Sequence, residues 1–249
     1  MPQITPDRYA VNIGWDDAVH LDEETKRKML DATPPYMRSA RSKGIPSAGA
    51  GAVFPIDDAD IKVNPFPIPN NWPRAFGMDV GWNWTAAIYI ARNPNDNVIY
   101  GYTEHYGHRD RPSNHVAAMK PRGLWIPGFI DPAANQAGQD DGERLLDTYR
   151  EMGLDLSIAD NDLSGNDTVW MLLASGRLKI FATCQYWFAE KNHYRRDDKG
   201  RIVKKANHLM DATRYFVNSG LNDMKVKPAD VLLAEHSRGV SDRSGYGAD

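Results

Sequence analysis

AFGMDVGW, residues 75–82, places one carboxylate in the middle of a short apolar run that ends in Gly-Trp. A charge on a buried strand is costly unless something compensates it, so Asp79 needs a partner elsewhere in the chain. Immediately downstream, TAAIYIARN (85–93) and NVIYGYTEHYG (97–107) are two more apolar or aromatic runs, with PNDN (94–97) as the turn between them. Runs of that length and spacing predict three consecutive antiparallel strands. Further on, LWIPGFID (124–131) reads as a fourth strand ending in Asp131, LDLSIAD (154–160) as a fifth and LKIFA (178–182) as another. Helices are predicted over 113–120, 139–153, 167–176 and 206–218; in the second, Leu145, Leu146, Tyr149 and Met152 share one side. Gly153, Gly176 and Ser219-Gly220 stop the last three of these helices. Strands separated by helices make the chain α/β.

Upstream of residue 74 the texture differs. Asp22 caps a helix over 21–32, with acids in its first turn and Lys26, Arg27 and Lys28 further on, as the helix dipole favours. Pro34 and Pro35 stop it, a second short helix is predicted over 35–43, and the Gly- and Pro-rich stretch 44–73 reads as a mostly irregular connector. The division expected is 1–73 as an attached segment, 74–220 as the main domain and 221–249 as a tail, polar over 236–249. The 249 residues are 41% hydrophobic and 25% charged, enough for one substantial core. A single cysteine, Cys184, excludes an internal disulfide framework. With no secretory leader and no run long enough to span a membrane, the expected location is cytoplasmic.

Asp79 on the first strand, Asp131 at the end of the fourth and Asp211 on the last helix converge if those two strands are neighbours and the helix packs across them. Bound Mg²⁺ or Mn²⁺ then compensates Asp79, because hard cations take oxygen ligands, and two such ions clamp the attacking and leaving oxygens of a phosphodiester. Each residue also has an ordinary reading. Asp131 before Pro132 suits a turn, and Asp211 can pair with Arg214 at i+3. His208 shares a helix face with Asp211, where it either orients the aspartate, touches a phosphate or fills a structural place. Zinc is excluded by the absence of tight His and Cys spacing, and ATP hydrolysis by the absence of GxxxxGK[ST].

Net charge is −3, yet KNHYRRDDKGRIVKK (191–205) carries seven Lys or Arg against two Asp. HYRRDDKGRIVKK reads as a β-hairpin with DDKG at its turn and Tyr194, Ile202 and Val203 on its arms. Its cations Arg195, Arg196, Lys199, Arg201, Lys204 and Lys205 are either a solvated face or sequence-independent phosphate contacts. The neighbouring Tyr186, Trp187 and Phe188 are assigned to the core.

FGMDVGW (76–82), GFIDPAA (128–134), SGRLKIF (175–181) and YRRDDKGRIVKKANHLMDATRY (194–215), together with WDDAVHL and RSKGIPSAGAGAVFP nearer the N-terminus, resemble the nuclease domain of the large terminase subunit of tailed double-stranded DNA bacteriophages. The likeness spans most of residues 15–218, and its last stretch is the most specific. It implies a ribonuclease H-like mixed sheet, three antiparallel strands followed by parallel ones, flanked by helices and carrying a basic hairpin. It implies that Asp79, Asp131 and Asp211 hold two Mg²⁺ or Mn²⁺ ions and cut concatemeric viral double-stranded DNA during packaging in the host cytoplasm. The implied partners are an ATPase motor, the small terminase subunit and the portal. Asn207 stands where that family often has an acid. Residues 1–73 resemble the end of the motor and its connector, so the expectation is a separated nuclease fragment, or a product whose motor is encoded elsewhere. Two other readings fit the same residues: a different ribonuclease H-like nuclease acting on hybrids or junctions, and a non-catalytic DNA-docking module of the packaging machine.

Overall fold

Strand-forming runs between residues 62 and 181 assemble into one seven-stranded sheet in the computed structural model, which describes residues 3–5, 8–9, 14–18, 20–31, 42, 51–81, 83–136, 144–197 and 199–234. Numbering strands along the chain, β1 (Gln3–Thr5) and β2 (Arg8–Tyr9) form a separate antiparallel pair. The main sheet contains β3 (Lys62–Val63), β4 (Arg74–Val80), β5 (Trp84–Arg92), β6 (Ile99–His108), β7 (Gly128–Ile130), β8 (Leu156–Ile158) and β9 (Leu178–Phe181), in the order β3-β9-β6-β5-β4-β7-β8. β5 is antiparallel to both β4 and β6, while β7 runs parallel to β4 and β8 parallel to β7. The three antiparallel strands followed by parallel strands are therefore present.

Both faces of β4 and β5 are buried, because helices cover both sides. Strand alternation sends Phe76, Met78, Ala87 and Tyr89 to one face, where they pack with Val116 and Met119 of α3 (Pro112–Met119) and Leu146 and Tyr149 of α4 (Leu145–Glu151). The alternate residues of β4 face α7 (His208–Tyr215), the helix predicted over 206–218, which continues as π-type turns over Phe216–Gly220. Gly77 makes this approach possible, since a Cβ there would lie 1.8 Å from the Ala212 carbonyl oxygen. The helix thus rests directly on the strand backbone. Other helices are α1 (Glu23–Asp31), α2 (Asp58–Ile61), α5 (Gly165–Ala174) and α6 (Gln185–His193). Asp22 Oδ1 accepts from Thr25 N (2.6 Å), the cap expected for α1.

Contacts divide the described residues into two units, one from 56–194 and 203–249, which holds the sheet, and one from 1–55 and 195–202. Among the described residues no helix is long and apolar enough to cross a membrane. The helix predicted over 35–43, save Ser42, lies outside the described residues, as do positions 139–143 of the helix predicted over 139–153 and the tail 236–249. Three expectations need correction. The fourth strand is only Gly128–Ile130, because residues 124–126 form a turn and Pro127 has no N–H to give a ladder. The connector contains α2 and the edge strand β3, which pairs with β9. Tyr194 is not on a hairpin arm: its ring is buried and its hydroxyl donates to Asn166 Oδ1 (3.3 Å), so the chain stays helical through His193 and only then turns.

Candidate carboxylate site

The β4–β7 register decides where the carboxylates fall. Phe76 pairs with Gly128, Gly77 with Phe129 and Met78 with Ile130, so the next residues along are Asp79 and Asp131. Asp131 N donates to Met78 O (3.0 Å), which keeps the two chains adjacent at that step. Both aspartates lie on the α7 side, Asp79 in phase with Gly77 and Asp131 in phase with Phe129, which packs against Gly220 at the end of the π-type turns. Across the antiparallel strands the same row continues to Ala86 and Tyr106. It therefore reads Asp131, just past the end of β7, then Asp79, Ala86 and Tyr106 on three neighbouring strands.

Above this row, α7 contributes His208 and Asp211. His208 Nδ1 lies 2.8 Å from Asp79 Oδ2, so the histidine meets Asp79 and not the aspartate of its own helix. Asp211 Oδ1 accepts from Arg214 Nη2 (2.8 Å) and Oδ2 accepts from Asn207 Nδ2 (2.5 Å). The i+3 pairing expected of an ordinary helix position is thus present. Asp131 Oδ1 accepts from Ala133 N (2.9 Å) and caps the 3-10 turn Pro132–Asn135, so its turn role is present too.

Burial first, and then the crowding of charges, shifts the acids of the site. Burial pushes Asp79, 8% exposed, up to about 6; the His208 bond pulls against this, and the nearby charges of Asp211 and Asp131 add to it. Burial also raises Asp211, with Arg214 opposing and Asp131 reinforcing. His208 is raised chiefly by its bond to Asp79. The three carboxylates therefore lie within electrostatic reach of one another, and an all-oxygen donor set of this kind suits a hard divalent cation. Among the described residues no three His, Cys, Asp or Glu side chains stand together as a finished ligand cage.

Sequence reasoning missed Glu190 and, of Arg214, the second tie beyond its expected pairing with Asp211. Glu190 of α6 is buried, accepts from Leu209 N through Oε2 (2.6 Å) and from Tyr106 OH through Oε1 (2.7 Å). It caps the start of α7 from another helix, a pairing that no local spacing encodes. Arg214, 2% exposed, joins Asp211 to the loop after β8 by donating from Nη1 to Asn161 Oδ1 (2.7 Å). Trp187 and Phe188 are core as expected, whereas Tyr186 is 55% exposed.

The basic residues divide between the units. Lys204 and Lys205 are exposed near the start of α7, and Lys204 favours the charged form of Asp211. Arg195, Arg196, Lys199 and Arg201 belong to the other unit, on a tight turn with an Arg196–Ile202 bridge. Two of them serve the turn itself: Arg201 pairs with Asp197 (Nη2 to Oδ2, 2.9 Å) and Arg196 Nη1 donates to Gly200 O (3.1 Å).

No family model matches the chain. It is similar to the terminase large subunit of Enterobacteria phage LP7, 30% identical over 215 residues that cover 82% of this chain and 45% of the relative. The same subunit of Salmonella phage P22 is 30% identical over 215 residues, covering 82% and 43%. The chain thus spans somewhat under half the length of these curated relatives. Among solved structures, the nuclease domain of the P22 large terminase aligns with a TM-score of 0.66 at 28% identity, covering 74% of this chain and 98% of that one. The large terminase of a thermophilic bacteriophage, in complex with ADP, aligns with a TM-score of 0.61 at 20% identity, over 83% of this chain and 54% of that one, a likeness of fold.

Proposed function

From the premise that this chain belongs to the family of phage large terminase subunits and corresponds to their nuclease domain, we propose that it is the endonuclease that cuts concatemeric viral double-stranded DNA during genome packaging. The observation that carries this reading is the strand register that makes Asp79 and Asp131 neighbours beneath the helix bearing Asp211. Asp79, Asp131 and Asp211 would hold Mg²⁺ or Mn²⁺, two ions in all. When bound, the ions supply Lewis-acid stabilisation for the attacking and leaving oxygens of a phosphodiester.

The chain's own groups do the positioning. His208 Nδ1 orients Asp79, and the bond between them raises the imidazole's affinity for a proton. Arg214 and Asn207 fix both oxygens of Asp211. Glu190 holds the first turn of α7 and with it the height of His208 and Asp211 over the sheet. Lys204 and Lys205 bring cations to a region that would otherwise repel phosphate, and Arg195, Arg196, Lys199 and Arg201 add salt-sensitive, sequence-independent contacts to the duplex.

In this reading residues 1–73 are the end of a motor domain with its connector, 74–220 the nuclease domain and 221–249 a tail. The partners are an ATPase motor, the small terminase subunit and the portal, in the cytoplasm of the bacterial host. The test is cleavage of plasmid DNA in Mn²⁺ by Asp79→Asn and Asp211→Asn, each checked for folding by circular dichroism. Loss of cutting in both supports the assignment, and undiminished cutting in either rejects it. Running duplex, RNA–DNA hybrid and four-way junction side by side separates this activity from that of other ribonuclease H-like nucleases.

A further inference from the structure

Beside the carboxylates runs a strip of aromatic rings that the chemistry above does not use. Trp84 and His108 face each other across β5 and β6, two residue pairs beyond Ala86–Tyr106 and so on the same face. Trp84 lies 4.3 Å from the His108 ring and 4.9 Å from the Tyr106 ring, centroid to centroid. Tyr106 in turn stacks on Tyr186 at 4.7 Å and 9°. His208 borders the strip, 6.3 Å from Trp84 and 6.4 Å from Tyr106, so the same imidazole touches both the rings and Asp79.

Two features make the strip unlike ordinary core packing. It is anchored: Tyr106 OH is tied to buried Glu190, and the backbone beneath Tyr186 is held by its N donating to Glu104 Oε1 (2.9 Å) at the start of α6. It is also open, since Tyr186 has one face on Tyr106 and remains more than half exposed. A cation stands at the other end. Arg109 adopts φ 45°, a left-handed conformation that is uncommon for a residue with a side chain. Its N and Nε donate to Asn83 O and Oδ1, both at 3.0 Å, which ties the exposed arginine, next after His108, to the residue that precedes Trp84.

Anchored aromatic faces next to a tethered cation suit a nucleic acid strand, whose bases stack and whose phosphates need positive charge. A paired duplex offers no free base faces, whereas an unpaired stretch does. We propose that Tyr186, Tyr106 and Trp84, with Arg109, form a stacking surface for unpaired nucleotides beside the carboxylate site, so that the protein favours DNA whose bases are locally unstacked. This deepens the nuclease reading and rests on it for its place in the reaction.

The test measures binding by the full chain, without divalent cations, to a labelled duplex carrying three unpaired thymines and to a fully paired duplex of equal length. The unpaired site should bind about tenfold more tightly, the effect of roughly one stacked base. Tyr186→Ala and Tyr186→Leu should lose most of that preference while leaving paired-duplex affinity within about twofold, and Tyr186→Phe should keep it. Thermal melting of the three variants should match the parent, because the backbone bond to Glu104 is unchanged. Equal affinity of the parent protein for both duplexes, or a preference that survives in Tyr186→Leu, overturns the proposal. Plasmid cleavage in Mn²⁺ separates the two readings: cutting without preference removes the stacking surface alone, and preference without cutting removes the nuclease assignment alone.

Discussion

At Asp79, charge is buried, crowded by Asp131 and Asp211, and held by His208, 129 residues away in sequence. On the turn over residues 195–202, charge is exposed and held by neighbours four residues away, as Arg201 is by Asp197. The first arrangement exists only if the whole sheet and α7 assemble; the second needs little beyond its own turn. Carboxylates that repel one another destabilise the fold that gathers them, a cost that the divalent cations proposed above would offset. Exposed cations carry no such cost and act through their number and the ionic strength.

The largest effect that separates the two regions is expected from Asp79→Asn, where cleavage should fall by more than the roughly 10–100-fold that follows loss of a group supporting a metal ligand. The same substitution should leave thermal stability unchanged or higher, since it removes a charge that burial disfavours. Gly77→Ala tests the support of the row: the added methyl meets the backbone of Ala212, and unfolding in urea should show a loss at the upper end of the about 1–3 kcal/mol typical of overpacking. Glu190→Ala leaves Leu209 N and Tyr106 OH without their buried acceptor and should cost about 1–3 kcal/mol. Its cleavage should fall along with its stability.

Acidity sharpens the contrast next. Asp79 binds its proton up to about pH 6 in the folded chain and only to about 4 when unfolded. Its contribution to stability is therefore full below the unfolded value and lost as pH rises through about 6, so the metal-free protein should gain stability from this group on mild acidification. Mn²⁺ affinity should move the other way, weakening by about tenfold per unit below pH 6 as protons compete, which calorimetry would read directly. The smallest effect belongs to the exposed turn. Arg195→Ala with Arg196→Ala should lower the slope of log affinity against log salt by about two, with little change in melting temperature.

The legible parts of this molecule are those whose signal is local. The runs at 75–82, 85–93 and 97–107 are apolar on both faces because helices cover both sides of β4 and β5, and they read as strands without further information. Asp22 announces α1 by its position alone. Of the three acids, only Asp79 stands out locally, as a charge inside an apolar strand; Asp131 caps a turn and Asp211 pairs with Arg214, so their nearness to Asp79 becomes legible only through the strand register. β3 is not visible, because two residues in a Pro-rich stretch become a strand only when β9 offers a partner. α6 is obscured by burying Glu190 and Lys191 alongside Trp187 and Phe188, which erases the polar–apolar period a helix normally shows. The bond from Lys191 Nζ to Asp58 Oδ1 (2.8 Å) and those from Glu190 explain the polar pair, and both are contacts between distant segments.

The bare Cα at position 77 limits how this site can vary. Because α7 sits on main-chain atoms at Ala212, its clearance above the sheet is set by covalent geometry common to all residues, and not by a side chain that could change rotamer. Asp211 and His208 inherit that clearance. The surrounding apolar residues are thereby free to exchange for others of similar volume without moving the acids apart, provided position 77 keeps no side chain.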